Sequence, residues 1–174
     1  MRLFIAGKNS IAVDVLNYAR INFEFPIAVI LNKTENFTNS FQKSLGFYAK
    51  LWKIPIVNLE EVYKYSDALF ISLEFDQIIK PNLFKTSLLF NIHFSLLPAY
   101  KGMYTSAIPL LQGERRSGVT LHVIDPGIDT GNIIAQKEFD ICENDISRSL
   151  YLKYISIGTE LVNENLINLM NQKI

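Results

Sequence analysis

The chain has 174 residues, 49% of them hydrophobic, and its equal numbers of acidic and basic side chains leave the formal net charge at zero. This length suits one domain with a sizeable core and is too short for two ordinary domains. The only tight basic pair is Arg115-Arg116, so the sequence does not show the basic surface typical of nucleic-acid binding. We therefore expect a single domain over residues 1–174 and no nucleic-acid partner.

The rare residue types narrow the class of protein further. With one cysteine and two histidines, the chain can form neither an internal disulfide framework nor a metal site of several histidines. The apolar run at the N-terminus is too short for a signal peptide, and no apolar stretch reaches the length of a membrane span. The sequence predicts a cytoplasmic protein without a membrane partner or a metal.

Apolar runs alternate with segments of helical spacing along the chain. In chain order we predict a strand at 2–7, a helix at 10–20, a strand at 25–31, a helix at 41–52, strands at 54–57, 68–73, 87–92, 118–124 and 133–141, and a helix from about 145 to the end. Asn144 or Asp145 can cap this last helix.

This alternation indicates a fold class. Strands that read as continuous apolar runs and alternate with helices are typical of a parallel sheet covered on both faces. Right-handed crossovers place ligands at the carboxyl ends of such strands. The sequence therefore predicts an α/β fold with a mostly parallel central sheet and helices on both faces.

Polar residues concentrate at two places beside the buried strands. Asn91 and His93 stand at the end of the 87–92 strand, where residues two apart share a face and can point into one cleft. The glycine- and proline-containing loop 125–131 carries Asp129 near its end. An amide N–H stabilises an oxyanion, an imidazole moves protons near neutral pH, and a carboxylate orients the imidazole or accepts a proton through water. Together these groups suit the attack of an amine on a carbonyl carbon.

Each of these residues also has an ordinary structural interpretation. Asn91 can satisfy backbone groups at a strand end, His93 can be a hydrogen-bonded core histidine, and Asp129 can be a turn residue. For His122, inside a predicted strand, the sequence favours a structural role. Residue types alone leave these alternatives open.

The surrounding sequence resembles the folate-dependent formyltransferase family. The resemblance rests on NIHFSLLPAYKG at 91–102 and on GERRSGVTLHVIDPGIDTGNIIAQ at 113–136. These segments contain, in order, the family patterns Asn-x-His-x-Ser-Leu-Leu-Pro, Gly-Val-Thr-x-His and Asp-x-Gly. The resemblance implies a Rossmann-like catalytic domain with a long helix from about 145 and little or no accessory domain after it.

The resemblance also implies a donor and a mechanism. The donor is N10-formyltetrahydrofolate, and the reaction needs no metal. Asn91 and His93 stabilise the tetrahedral oxyanion, while Asp129 assists proton transfer, and Leu97-Pro98 is a candidate cis peptide. The residues implied at the donor site are Leu73, Glu74, Phe75, Ile124, Asp125, Gly127 and Ile128.

Within the family, the sequence resembles the branch that acts on dTDP-linked 4-amino-4,6-dideoxysugars for O-antigen or a similar surface polysaccharide. It carries KGMYTS at 101–106, where the tRNA-type enzymes carry Arg-Gly-x-x-Pro-Ile. The ring of Tyr104 can stack on a thymine or a sugar face, although Met103 and Tyr104 can equally be core or interface residues. The residues implied at the acceptor site are Lys8, Asn9, Gly102, Met103, Tyr104 and Thr105.

Other functions stay open at this point. Formylation of glycinamide ribonucleotide in purine synthesis is the alternative within the enzyme class, and its glycine-rich phosphate loop is represented here by the single Gly7. A folate-binding module without catalytic activity is the alternative outside it. The tRNA enzymes need a further C-terminal domain, which this length does not provide. The amphipathic C-terminal helix and the exposed aromatic residues suggest a homodimer.

Overall fold

The computed structural model describes residues 1–102 and 107–172, and within them the centre of the protein is a six-stranded sheet. Its strands are β1 (Arg2–Gly7), β2 (Ile27–Leu31), β3 (Ala68–Leu73), β4 (Leu89–His93), β5 (Arg116–Val123) and β6 (Ile133–Asp140). Their order is β2-β1-β3-β4-β5-β6. The first four are parallel, and β5 and β6 are antiparallel to their neighbours. This confirms the predicted mostly parallel, Rossmann-like α/β sheet.

Helices cover both faces of the sheet. They are α1 (Asn9–Asn22), α2 (Leu45–Leu51), α3 (Leu59–Val62), α4 (Ile108–Leu111) and α5 (Ser147–Met170), with a 3-10 turn at Pro81–Leu83. The helices α1, α2 and α5 bury their apolar residues against one face. The short α3 and the chain around Ile79 and Phe84 cover the other face.

The apolar runs of β1 and β3 are continuous because both faces of these strands are buried. In β1, Leu3 and Ile5 join the core under α1, whereas Phe4 and Ala6 join the core on the opposite face. Successive side chains of a strand point to opposite faces, so a strand covered on both sides needs apolar residues at every position. The same burial applies to all six residues of β3.

The carboxyl ends of β1 and β3 approach each other more closely than a side chain would permit. A Cβ on Gly7 would lie 1.9 Å from the carbonyl oxygen of Leu73, and the φ angle of Gly7 is +153°. The Lys8 N–H donates to this same oxygen at 3.2 Å. Beyond the contact, Asn9 and Glu74 both adopt positive φ angles, of 64° and 58°. Because Gly7 has no side chain, the ends of β1 and β3 can come close enough for Asn9 and Glu74 to lie together.

Two predicted elements in the first half differ from the structure. Residues 54–57 form a single parallel bridge between Ile56 and Val29 instead of a strand, and Pro55 within them has no N–H to donate to a ladder. The helix predicted at 41–52 begins only at Leu45, because the Ser44 hydroxyl accepts the Phe47 N–H at 2.9 Å and caps it there.

The C-terminal helix also begins slightly later than predicted. Its N-cap is Ile146, and neither Asn144 nor Asp145 takes that position. The Asp145 carboxylate instead accepts the Ser149 hydroxyl at 2.7 Å and the Cys142 N–H at 2.8 Å. The helix ends at Met170, and residues 173–174 lie outside the described part of the chain.

The apolar face of α5 is occupied within this chain. Leu150, Tyr154, Leu161 and Leu169 are buried in the core shared with α1 and the sheet. The amphipathic character of this helix is therefore explained without a second subunit, which removes one argument for a homodimer. None of the helices within the described residues is long and apolar enough to cross a membrane.

Candidate active site

One row of polar side chains crosses the middle of the sheet. In the strand register, Ser72 of β3 pairs with Asn91 of β4, and Asn91 pairs with His122 of β5. His93 and Thr120 form a pair two positions further along the same two strands. Residues two apart share a face of a strand, so all five side chains lie on the same face of the sheet.

Asn91 and His122 are joined by a hydrogen bond. The His122 Nδ1–H donates to the carbonyl oxygen of Val123 at 2.9 Å, which leaves Nε2 of the neutral ring as an acceptor. Nε2 lies 3.1 Å from Nδ2 of Asn91 and accepts one of its two amide hydrogens. The second amide hydrogen of Asn91 is then available to a ligand.

His93 ends β4 and is 6% exposed. Its Nε2–H donates to the Tyr100 carbonyl oxygen at 2.7 Å, and its Nδ1 lies 3.4 Å from Oδ2 of Asp129. Burial, the largest influence, lowers the pKa of the His93 imidazole and outweighs the Tyr100 carbonyl and the Asp129 carboxylate, which both raise it. Nδ1 of the neutral ring therefore carries a lone pair and can take up a proton that first reaches the Asp129 carboxylate.

Asp129 lies between the two histidines in the loop after β5, with a φ angle of 52°. Its Oδ2 accepts the Gly102 N–H at 2.8 Å, and its Oδ1 lies 3.5 Å from Nε2 of His122. Burial raises the pKa of the Asp129 carboxyl, but the hydrogen bond from the Gly102 N–H contributes to a net lowering below its ordinary value. Asp129 is therefore ionised at neutral pH and can accept a proton.

The loop after β4 is anchored by Thr120. The Thr120 hydroxyl donates to the Ser95 carbonyl at 2.7 Å and accepts the Leu97 N–H at 3.0 Å. The Gln136 amide donates to this hydroxyl at 2.9 Å and to the Leu97 carbonyl at 3.0 Å. These hydrogen bonds hold the loop in which the Tyr100 carbonyl accepts from His93. Within this loop the Leu97-Pro98 peptide bond is cis, as predicted.

A cleft opens directly over this row of side chains. It is lined by Ser72, Phe75, Gln77, Ile78, Ile79, Asn91, His122, Ile124, Asp125, Gly127, Ile128 and Asp129. Apolar walls with a few convergent polar groups are the usual composition of a small-molecule site. Within residues 1–102 and 107–172, no group of three or more His, Cys, Asp or Glu side chains is arranged to hold a metal ion.

A second hollow lies at the carboxyl end of β1, lined by Lys8, Asn9, Lys43 and Gln42 among others. Gln42 is 6% exposed, and its Oε1 accepts the Ser10 N–H at the start of α1 at 3.1 Å. Its Nε2 has no partner among the described residues. A buried amide donor beside Lys8 and a helix N-terminus favours a ligand that carries negative charge, although Glu35 also lines this hollow and Lys43 is paired with Asp14.

Comparison with known families identifies the fold and the motifs together. The model of the formyl transferase family matches residues 23–166, which is most of the chain. This chain belongs to the formyl transferase family.

Individual members of the formyl transferase family match nearly the whole chain. The N-formyltransferase from Helicobacter canadensis, solved with folinic acid and dTDP-3-aminofucose, is 50% identical with a TM-score of 0.95, over 98% of this chain and 64% of its own. WlaRD, a sugar 3N-formyltransferase solved with dTDP and 5-N-formyl-THF, is 48% identical with a TM-score of 0.96, over 99% of this chain and 64% of its own. Methionyl-tRNA formyltransferase of Fervidobacterium nodosum is 28% identical over 97% of this chain and 58% of its own length. The chain thus spans about three fifths of these relatives.

Most of the residues predicted at the donor site line the cleft. Phe75, Ile124, Asp125, Gly127 and Ile128 line it together with Asn91 and Asp129. Leu73 is instead fully buried in the core, and the side chain of Glu74 turns away to Asn9 and Tyr151.

The predicted acceptor residues are divided between two places. Lys8 and Asn9 line the second hollow, at the end of β1. Gly102 lies beside Asp129 and donates its N–H to the carboxylate. Met103, Tyr104 and Thr105 lie outside the described residues.

The sequence did not indicate several residues that line the cleft and the second hollow. Ser72 could have been found, because it is a polar residue inside an otherwise apolar buried strand. His122 was assigned a structural role, and the structure places its ring against both Asn91 and Asp129. Gln77, Ile78 and Ile79 follow β3, and Gln42 lies in a connection without regular structure; none of these four carries a signal in its local sequence.

Proposed function

We propose that this chain is the catalytic domain of a sugar N-formyltransferase. The reaction moves a formyl group from N10-formyltetrahydrofolate to the amine of a dTDP-linked amino-deoxysugar. The observation that carries this proposal is identity of about one half, over nearly all of this chain, to two enzymes solved with a formyl-folate and a dTDP ligand. Two further observations support it: Asn91 and Asp129 line one cleft, and His93 lies behind them with its Nδ1 3.4 Å from Asp129.

The folate donor is assigned to the cleft over the polar row. Phe75 and Ile128 offer apolar surface for the flat pterin, and the loop that contains Asp125 and Gly127 offers backbone groups to its polar edge. The formyl carbon then lies near Asn91 and Asp129. This assignment uses five of the donor residues expected from the sequence and leaves out Leu73 and Glu74.

The site residues suit each step of the transfer. The acceptor amine attacks the formyl carbon, a C–N bond forms, and the carbonyl oxygen becomes an oxyanion that accepts the free amide hydrogen of Asn91. Asp129, with His93 beside it, takes the proton from the attacking nitrogen. The bond from the formyl carbon to N10 then breaks, and a proton returns to N10. The products are a formamide and tetrahydrofolate.

The acceptor is assigned to the carboxyl edge of the sheet between β4 and β1. Two strand spacings, roughly 10 Å, separate the ends of these strands. An amine at Asp129 would place the attached diphosphate near Lys8 and Gln42, whose donors suit its charge, and near Lys43, which is paired with Asp14. The sequence suggested an amine at C4 of the sugar. We now favour C3, because both similar enzymes are described with 3-amino sugars or as 3N-formyltransferases.

The remaining expectations belong to the same proposal. We place the reaction in the cytoplasm, where reduced folates and sugar nucleotides are available, and we assign its product to O-antigen or a related surface polysaccharide. A homodimer stays part of the proposal, and a monomeric mass in solution at high concentration would contradict it. No nucleic-acid partner is proposed, given the zero net charge.

The test compares acceptors at fixed donor concentration. The chain is incubated with N10-formyltetrahydrofolate and either dTDP-3-amino-3,6-dideoxygalactose or its 4-amino isomer, and formylated sugar is detected by mass spectrometry. We expect turnover with the 3-amino sugar and at least tenfold lower kcat/KM with the 4-amino isomer. Preference for the 4-amino sugar would show that the reacting amine is on C4 and not on C3.

One further acceptor and a binding measurement address the alternative functions. Turnover of glycinamide ribonucleotide in preference to both sugars would replace the proposal with a role in purine synthesis. Tight binding of the formyl-folate without turnover of any acceptor would indicate a binding module. The Asp129→Asn variant serves as the inactive reference in each assay.

A further inference from the structure

Glu74 is a partly buried acid that the transfer reaction described above does not use. It follows β3 directly and lies at the junction of β1, β3 and α5. Its carboxylate contacts Asn9 at the start of α1 and Tyr151 in α5, so it links the end of β3 to both helices, and Asn9 in turn lines the second hollow.

The hydrogen bonds of this cluster are short and mutually consistent. The Tyr151 hydroxyl donates to the Glu74 carboxylate and lies 2.9 and 2.8 Å from its two oxygens. The Asn9 amide donates to Glu74 Oε2 at 3.1 Å and to the Tyr151 hydroxyl oxygen at 2.7 Å. The Asn32 amide donates to the backbone carbonyl of Glu74 at 2.9 Å and holds its main chain.

Counting hydrogens fixes the orientation of Asn9. An asparagine amide has two N–H donors and one carbonyl acceptor. Glu74 and Tyr151 take both donors, so the Asn9 carbonyl oxygen is the polar atom left for a ligand, and Asn9 lines the second hollow. Without the carboxylate, the amide is free to turn and to present N–H groups there instead.

Tyr151 extends the surface on the other side. Its ring lines a neighbouring hollow with Phe41 and Arg148, and it packs edge-on against Phe94, the residue after His93. Phe41 of this hollow precedes Gln42, which lines the hollow of Asn9. The hydroxyl of Tyr151 is bonded to Glu74 and Asn9, so the ring face is what this residue offers to a ligand.

Water has limited access to the carboxylate. Burial raises the pKa of the Glu74 carboxyl more than Tyr151, Asn9 and the charge of Lys8 lower it. A hydrogen bond is worth more where water is excluded, so the cluster holds its orientation rigidly.

We propose that Glu74 is a positioning residue for the acceptor, which fixes Asn9 with its amide oxygen facing the hollow, where it accepts a hydroxyl or N–H of the sugar nucleotide. Glu74 acts only through Asn9 and Tyr151 and does not touch the reacting atoms. The inference rests on the proposed function for the identity of the acceptor.

The test uses two variants that keep the shape of the cluster. Glu74→Gln replaces one acceptor with a donor that faces Asn9, and Tyr151→Phe removes only the hydroxyl. Both are expected to raise KM for the sugar nucleotide and Kd for dTDP about fivefold to tenfold, with kcat and the KM for the folate donor little changed. The double variant is expected to lose less dTDP affinity than the sum of the losses in the two single variants, because the two residues act as one unit.

Tyr154→Phe is the matched control. It removes a hydroxyl one turn further along α5, where the partner is Ser117 at 2.5 Å in the core, and it is expected to leave dTDP affinity unchanged. Unchanged affinity in Glu74→Gln would overturn the inference, as would an equal rise in both KM values with a lowered Tm. If the unaltered chain binds dTDP without turnover, the proposed function fails while the binding comparison still decides the role of Glu74. If it does not bind dTDP, both fail.

Discussion

Nδ2 of Asn91 lies 3.1 Å from Nε2 of His122, across the antiparallel pair of β4 and β5. This bond holds one amide hydrogen and aims the other into the cleft. His122→Phe removes the acceptor, and we expect kcat to fall roughly tenfold to a hundredfold, less than the loss of an entire oxyanion donor. His122→Asn keeps an acceptor at this position and is expected to recover part of the rate. Equal kcat in His122→Phe and the unaltered chain would show that Asn91 needs no partner.

Asp129 is expected to be the residue whose loss costs the most activity. Asp129→Asn keeps the volume and an acceptor for the Gly102 N–H, but it cannot take a proton from the attacking amine. We expect kcat to fall by roughly 10²–10⁴-fold, with Kd for the folate little changed. Steady-state kinetics and calorimetry measure the two quantities.

Asp67→Asn is the matched control for Asp129. Asp67 is exposed and precedes β3, at the edge of the sheet opposite the cleft. We expect full activity from this variant. A comparable loss of activity in both variants would point to a general effect of removing a carboxylate.

The buried imidazole of His93 makes stability depend on pH. Because burial lowers the pKa of His93 below its ordinary 6.5, the unfolded chain binds a proton more readily than the folded one. Its contribution to stability is fully present above pH 6.5 and is lost as pH falls through 6.5 toward the lowered pKa. We expect the Tm difference between the unaltered chain and His93→Gln to shrink between pH 7.5 and pH 5.

A separate variant isolates the effect of His93 from that of Glu74. The raised pKa of Glu74 acts in the opposite sense, because its contribution is present below about 4.5 and is lost as pH rises. Glu74→Gln scanned over the same range removes this second dependence. A Tm difference for His93→Gln that stays constant with pH would contradict the buried neutral imidazole.

The sequence was sufficient to predict the elements whose pattern is set by burial. The strands Arg2–Gly7 and Ala68–Leu73 agree with the prediction residue by residue, since both faces are covered and all positions except Arg2 and Ser72 are apolar. The segment at 54–57 has a similar composition but forms only a bridge. The composition of this segment does not reveal that only Ile56 pairs with a neighbouring strand, at Val29.

The site also contains residues that the sequence could predict and residues that it could not. Asn91, His93 and Asp129 were predictable because they stand at strand ends and loops within a dense family pattern. The family resemblance implied Glu74 at the donor site, yet its φ angle is positive and its side chain contacts Asn9. The role of Gln42 depends on its distance from Ser10, across a connection without a motif. Contacts between distant segments, set by backbone turns, are what a local pattern does not encode.

The close approach of Gly7 to Leu73 is the last relationship that we expect to be measurable. A Cβ at Gly7 would overlap the Leu73 carbonyl, which belongs to the buried backbone and cannot rotate away, so Gly7→Ala must separate β1 from β3. We expect the free energy of unfolding to fall by at least about 3 kcal/mol, measured by denaturant titration. Gly113→Ala is the control, because Gly113 also has a positive φ angle, of 68°, but a Cβ there meets no atom within 4 Å. It should cost only about 1 kcal/mol, the backbone penalty alone. If the two variants lose the same stability, backbone conformation would explain Gly7 without the contact, and the pairing of Asn9 with Glu74 would need another cause.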